Sequence, residues 1–219
     1  MIADLLKSKL ETEAENLITE NPFFIKASKG LIRADHIKYF LNNAAYVLKY
    51  TPICLKLAIE KSDDHDLTSF FKEKVREEDG HIEWAFNDLD SFGIDKNIVD
   101  EEISENIKLL MNYLLRIIQE NPKNYLLYIL TAEYVLVLFG HKLLGDLENK
   151  CGINPSQLTV LTKHVELDKD HVLDDMKVIE RFFNNPTEWS EVEKLINDYM
   201  KYISAFYADV ASNGVQESI

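Results

Sequence analysis

The chemistry-bearing residues of this 219-residue chain gather in three places. The first is His164-x-x-x-Asp168-x-x-His171, within LTKHVELDKDH. At about 100° per residue these side chains fall at roughly 0°, 40° and −20° around a helix, one narrow stripe. Imidazole and carboxylate together suit iron, manganese or zinc. The plainer alternative is a solvated face, because Lys163, Glu166, Lys169 and Asp170 stand among them. The second place is Glu77-Glu78-Asp79-Gly80-His81. Glu78 and His81 make a Glu-x-x-His pair, the i,i+3 arrangement that points two ligands inward in helical di-iron carboxylate proteins. Asp168 and His171 repeat it with the shorter acid. An acidic run followed by a histidine is also common on exposed helices. The third place is Glu133, the one charged residue between Tyr125 and Phe139. A carboxylate in so apolar a stretch is costly unless it is protonated, hydrogen-bonded or bound to a cation.

Together these make six candidate ligands: Glu78, His81, Glu133, His164, Asp168 and His171. Three carboxylates and three imidazoles suit two divalent metals with a bridging carboxylate and open positions for dioxygen and substrate. The set is too oxygen-rich for a structural zinc, and no cysteine takes part. Two cations would also replace the hydration that Glu133 loses on burial.

The elements that must hold these residues are helices. Tyr125 to Leu144 is apolar all round, which predicts a helix buried in a core. It is too short and interrupted for a membrane span, which needs ~20 apolar residues. Around it the sequence predicts about seven helices. The first covers roughly 4–19 and ends at Asn21-Pro22; a short link, FFIKASKG, follows. The second covers 34–60, with a kink near Pro52. The third follows the polar break SDDHD and runs to Phe92, with Gly93 as its stop. The fourth covers 100–120, the fifth is the buried one and runs to about Asn149 before Gly152 and Pro155, the sixth covers 156–183 and the last ends near 211. No stretch alternates like a strand. The expectation is an all-α chain with one domain over 1–219 and a flexible polar tail over 212–219.

Composition narrows the partners. Hydrophobic residues make up 46%, enough for a large core, and seven glycines with five prolines argue against an irregular or all-β architecture. A net charge of −14 argues against nucleic acid or an anionic membrane as partner. The amphipathic N-terminus lacks the apolar core and cleavage site of a signal peptide. Cys54 and Cys151 make no disulfide framework, so a reduced, cytoplasmic setting is expected. His36, His65 and His141 read as surface or satisfied core histidines, and Cys54 as a buried inert thiol.

With these motifs in view, the chain resembles the haem-oxygenase-like di-iron oxidase and oxygenase superfamily, and within it the chlamydial CADD-like branch. The matching segments are FFIKASKG, EEDG before His81, Glu133, GDL at 145–147, and LTKHVELDKDH. The resemblance implies a seven-helix bundle with the metals among its third, fifth and sixth helices, held by the six residues above. It implies two Fe(II) ions, or a Mn/Fe pair, with O2 as co-substrate. The chemistry would be C–H cleavage, C–C scission or N-oxygenation of a small amine, amino acid or carboxylic acid. The second helix would line the substrate pocket, with Phe40, Asn43, Tyr46, Val47 and Tyr50 at helical spacing. Gly140, seven residues after Glu133, would admit a close helix or substrate; core packing is the plainer role for all of these. A homodimer is the family habit. Three departures stand out. The acid–histidine spacing is shorter than in CADD-like members and closer to the alkene-forming decarboxylase branch, which leaves Glu77 as an alternative ligand to Glu78. Phe24 and Phe40 stand where the para-aminobenzoate-forming branch has tyrosines. Leu143 stands where it has a lysine, although Lys142 is adjacent. Para-aminobenzoate synthesis is therefore not expected. The rival readings are a metal-free enzyme of the same fold, TenA- or PqqC-like, and a non-catalytic helical interaction protein.

Overall fold

The computed structural model describes residues 2–95 and 102–213. Nine α-helices account for nearly all of them: α1 (Ile2–Glu20), α2 (Pro22–Ser28), α3 (Ala34–Lys61), α4 (His65–Glu77), α5 (His81–Ser91), α6 (Glu105–Glu120), α7 (Lys123–Cys151), α8 (Thr159–Phe182) and α9 (Trp189–Asn213). Single 3-10 turns precede α8 and α9. The all-α expectation holds. The two extra helices have local causes. In the FFIKASKG segment Asn21 accepts the Phe23 N–H and Pro22 occupies the first helical position, so a short helix starts where a link was expected. The expected third helix is two helices, because Gly80 adopts φ +83°, a left-handed conformation that ends one helix and starts another. The expected start of the fourth helix near residue 100 lies outside the described residues. Of the expected tail, Ser212 and Asn213 still belong to α9.

Capping explains most boundaries. Asp64 accepts the Asp66 and Leu67 N–H groups at the start of α4, Ser104 accepts the Asn106 N–H at the start of α6, and Gly152 closes α7 at φ +70°. Helix α3 stays helical through Pro52. Proline has no N–H, so the Leu48 carbonyl there lacks its usual intrahelical donor.

The core is built around α7. It packs most extensively on α8, and also on α1, α2, α6 and α9, while α3 packs on α4, α5, α6 and α9. Helix α7 ends at Cys151, close to the expected end near Asn149, and contrary to expectation its 29 residues are by length and composition apolar enough to cross a membrane. Here it serves as the central helix, with Tyr125, Leu127, Leu130, Val135, Phe139 and Leu143 buried. Its covering is not complete, since Leu138 is 37% exposed. Gly140 sets the α7–α8 approach: a Cβ there would lie 2.2 Å from Val165 Cγ2. The absence of a side chain at 140 thus lets the helix bearing His164 and Asp168 lie close against the helix bearing Glu133.

Candidate metal centre

The six residues singled out by spacing come together from three helices, α5, α7 and α8, and the α4–α5 junction. Their ligand atoms form two groups, in each of which all lie within 4.8 Å of one another. One is Glu78, His81 and His164; the other is Glu133, Asp168 and His171. The stripe on α8 is therefore shared between the groups. The Glu-x-x-His pair does not lie on one helix. Glu78 is the C-cap of α4, and His81 is the first residue of α5. Gly80 between them turns the chain so that His81 Nδ1 still lies 3.3 Å from Glu78 Oε2.

The first group is held by aromatic and backbone contacts. His81 stacks on Trp84 with ring centroids 4.1 Å apart and meets His164 edge-on at 4.8 Å. His164 Nδ1 lies 2.6 Å from the Val160 carbonyl oxygen. A carbonyl only accepts, so Nδ1 carries the hydrogen and Nε2 keeps a free lone pair, the tautomer a metal ligand needs. The start of α8 is itself pinned by α5. The Val160 N–H donates to Asp88 Oδ2 at 2.7 Å, and no side chain of α8's own N-cap residue does this work. Asp88 thus caps the His164 helix from the His81 helix, across 72 positions of sequence. Burial raises the pKa of this carboxyl, and hydrogen bonds from the start of α8 oppose that rise. Asp88→Ala would leave a buried N–H without an acceptor. It is expected to lower stability by about 1–3 kcal/mol, read as a lower urea midpoint at unchanged slope, with Asp88→Asn losing less.

The second group surrounds a residue that sequence reasoning passed over. Lys74, on the last turn of α4, is only 4% exposed. Its Nζ lies 3.0 Å from Glu133 Oε1, 3.0 Å from Asp175 Oδ1 and 3.1 Å from Glu77 Oε2. Both new members, Lys74 and Asp175, had a readable signal. Leu67, Phe71 and Lys74 are spaced as one buried face of α4, so a lysine occupies a core register. Asp175 continues the series His164, Asp168, His171 by one more turn. Glu77 serves Lys74 rather than the first group; it also lies 3.9 Å from His171 Nε2. His171 Nδ1 is 3.5 Å from Asp168 Oδ1.

The electrostatics follow from this packing. Burial drives the Glu133 carboxyl well above the ordinary carboxylate range, and Asp175 and Asp168 push it further; Lys74 opposes them. Burial raises Asp175 as well. Burial would lower the Lys74 pKa, but Glu133, Asp175 and Glu77 outweigh it and hold the ammonium charged. Burial would also raise Glu78, yet contact with His81 and the charges of His81 and His164 bring it below its usual value. The pKa of His171 is raised, first by its contact with Asp168. Glu77, Glu133 and Asp175 surround a single ammonium, and Asp168 adds a fourth acid close enough to act on Glu133. In this region Glu77 Oε2, Glu133 Oε2, Asp175 Oδ2 and His81 Nδ1 are buried without a hydrogen-bond partner among the described residues. Buried polar atoms are nearly always paired, so these orphans, at imidazole and carboxylate donors, fit a cation held at each group.

A cavity of about 140 Å³ opens onto both groups. Glu78, Glu133, His164, Asp168 and Lys74 form its polar side; Val47, Leu48, Leu55, Ile129 and Leu136 form much of the rest, beside Tyr125 and Tyr128. Of the pocket residues expected on α3, only Val47 lines it. Phe40 instead packs with Phe206 and Tyr207, and Asn43 accepts the Ser104 N–H in the core. Tyr46 and Tyr50 pair with each other at 4.7 Å. Gly140 faces Val165. The cavity lies against the Val47–Thr51–Leu55 face of α3, one helical stripe away from the one expected. Leu143 is buried, and Lys142 pairs with Asp146 rather than with the centre. Cys54 is buried and its thiol is pushed up to about 11 by that burial.

No family model matches the sequence, and no curated protein gives a significant match. Solved structures do. A protein from Shewanella denitrificans, described as a domain of unknown function with a heme oxygenase-like fold, superposes with a TM-score of 0.85 over 94% of this chain and 90% of its own, at 19% identity. The fold is haem-oxygenase-like. The same haem-oxygenase-like bundle relates the chain to a TenA homologue from Pyrococcus horikoshii, with a TM-score of 0.80, 16% identity, and coverage of 98% of this chain and 100% of that one. A TenA homologue from Pyrococcus furiosus gives 0.77 and 16%, covering 96% and 100%. At these identities the likeness speaks for the fold alone. It does not select between the metal-dependent and metal-free branches.

Proposed function

We propose that this chain is a non-haem di-iron oxygenase or oxidase acting on a small molecule. The observation that carries the reading is the pair of adjacent, mixed imidazole–carboxylate groups, each with a buried unpartnered polar atom and each contributing residues to one cavity. Glu78, His81 and His164 would hold one iron, and Glu133, Asp168 and His171 the other. When bound, two Fe(II) ions supply electrons for the reduction of dioxygen. The chain's own part is positioning and exclusion of water. The apolar walls of α3 and α7 keep bulk solvent from the centre, and the Val160 carbonyl holds His164 in the binding tautomer. The Glu133 carboxyl, destabilised by burial and by neighbouring acids, gains most from a cation. The cavity of about 140 Å³ matches roughly five water volumes at ~30 Å³ each. That size suits a small substrate, and the resemblance to the di-iron superfamily is what suggests an amine, amino acid or carboxylic acid.

One observation favours a metal-free enzyme of the same fold: Lys74 already gives Glu133 a cation. The buried Cys54 does not help that reading, because its raised pKa leaves it a thiol at neutral pH. Anaerobic reconstitution with Fe(II) decides between them. Two irons per chain, and a transient visible band on mixing with oxygen, are expected. A chain that takes up no iron would be the metal-free enzyme.

A further inference from the structure

We propose that Lys74 is a resident cation of the second ligand group and is the cause of weaker metal binding there: Glu133/Asp168/His171 takes a metal only as Lys74 releases Glu133, after Glu78/His81/His164 has filled. This rests on the di-iron reading above.

The two groups differ in one respect. Among the described residues no ammonium pairs directly with the first, although the Lys74 charge is felt at Glu78, whereas the second shares Glu133 with Lys74 at 3.0 Å. An ammonium has three donors, and here all three face carboxylates: Glu133, Asp175 and Glu77. The arrangement answers two needs. Without metal, four acids packed together need a counter-charge, and Lys74 is the one lysine or arginine within reach of them among the described residues. With metal, Glu133 must turn an oxygen to the ion. Lys74 can give it up and keep Asp175 and Glu77. Those two acids belong to neither ligand group, and they give the displaced ammonium a place to remain.

A metal entering the second position therefore meets a cost that the first position lacks. It must take a carboxylate already paired, and it must sit beside a fixed positive charge. Lys74 is accordingly a positioning residue that acts through Glu133. A merely structural lysine would behave differently: its removal would loosen the acids and weaken metal binding. Removal of a competing cation strengthens it.

The test uses the full chain and Co(II), a redox-silent probe, in anaerobic equilibrium dialysis. The wild type should bind two ions with dissociation constants at least tenfold apart. His81→Ala should remove the tighter step and His171→Ala the weaker. Lys74→Met should tighten the weaker step tenfold or more and move the tighter one by less than threefold, while lowering the melting temperature of the metal-free chain. Lys74→Arg should restore the wild-type separation, and Lys74→Gln should repeat the Lys74→Met result if the methionine variant does not fold. An unchanged isotherm in the neutral variants, or a lost second step, would overturn the role given to Lys74 and leave the di-iron reading standing. If the wild type binds no Co(II), or His81→Ala and Glu133→Ala bind it as the wild type does, the di-iron reading falls and this role with it.

Discussion

Glu133→Ala is expected to leave one iron per chain in place of two and to lower oxygen-dependent turnover more than about 100-fold. That exceeds the 10–100-fold typical of residues that only support a ligand. The reason is placement. Glu133 is the one acid of α7 in the centre and reaches the second group from the side opposite α8. Its loss removes a ligand and leaves Lys74 paired with Asp175 and Glu77 alone. Glu77→Ala is the informative control. Glu77 forms an ion pair with Lys74 and is absent from both ligand groups, so this variant should retain two irons. Iron counting on the two variants, prepared in parallel, checks the assignment. Equal iron in wild type and Glu133→Ala would contradict it.

The second large effect is on stability. A ligand that binds only the folded chain, at a free concentration of 100 times its dissociation constant, stabilises it by about 2.7 kcal/mol. For a chain of this size each kcal/mol moves the melting temperature by about 2–4 °C. One filled position should thus raise the midpoint by roughly 5–11 °C, and filling both should raise it further. Anaerobic calorimetry with and without Fe(II) measures this. His164→Ala should remove the increment belonging to the first position while leaving a smaller one. A midpoint indifferent to metal would mean that no tight position exists.

Much of this was legible in the sequence. The helices, their main stops and the six ligand candidates follow from periodicity, capping residues and one acid in an apolar run. What was hidden was hidden for physical reasons. The Gly80 break was obscured because a glycine inside an otherwise helical pattern is tolerated as often as it is decisive. Lys74 and Asp175 were legible in register, but a charged residue at a core position reads as an exception until its partners are known, and those lie 59 and 101 positions away. Asp88 gave no signal, because capping of α8 from α5 is a tertiary event. The pocket face of α3 was misjudged by one stripe: aromatic residues such as Phe40 bury well wherever the core is, and here the core against α9 took them.

The left-handed turn at Gly80 has a consequence for anyone who would rebuild this centre in another scaffold. Copying Glu-x-x-His onto an unbroken helix would reproduce the letters but not the geometry. In this chain the two side chains are carried by different rods that meet at a joint. A designer would have to transplant the end of α4, the joint, and the start of α5 with its Asp88 tether to α8. By the same token, searches that score such pairs by helical periodicity will reward this site for a regularity it does not possess.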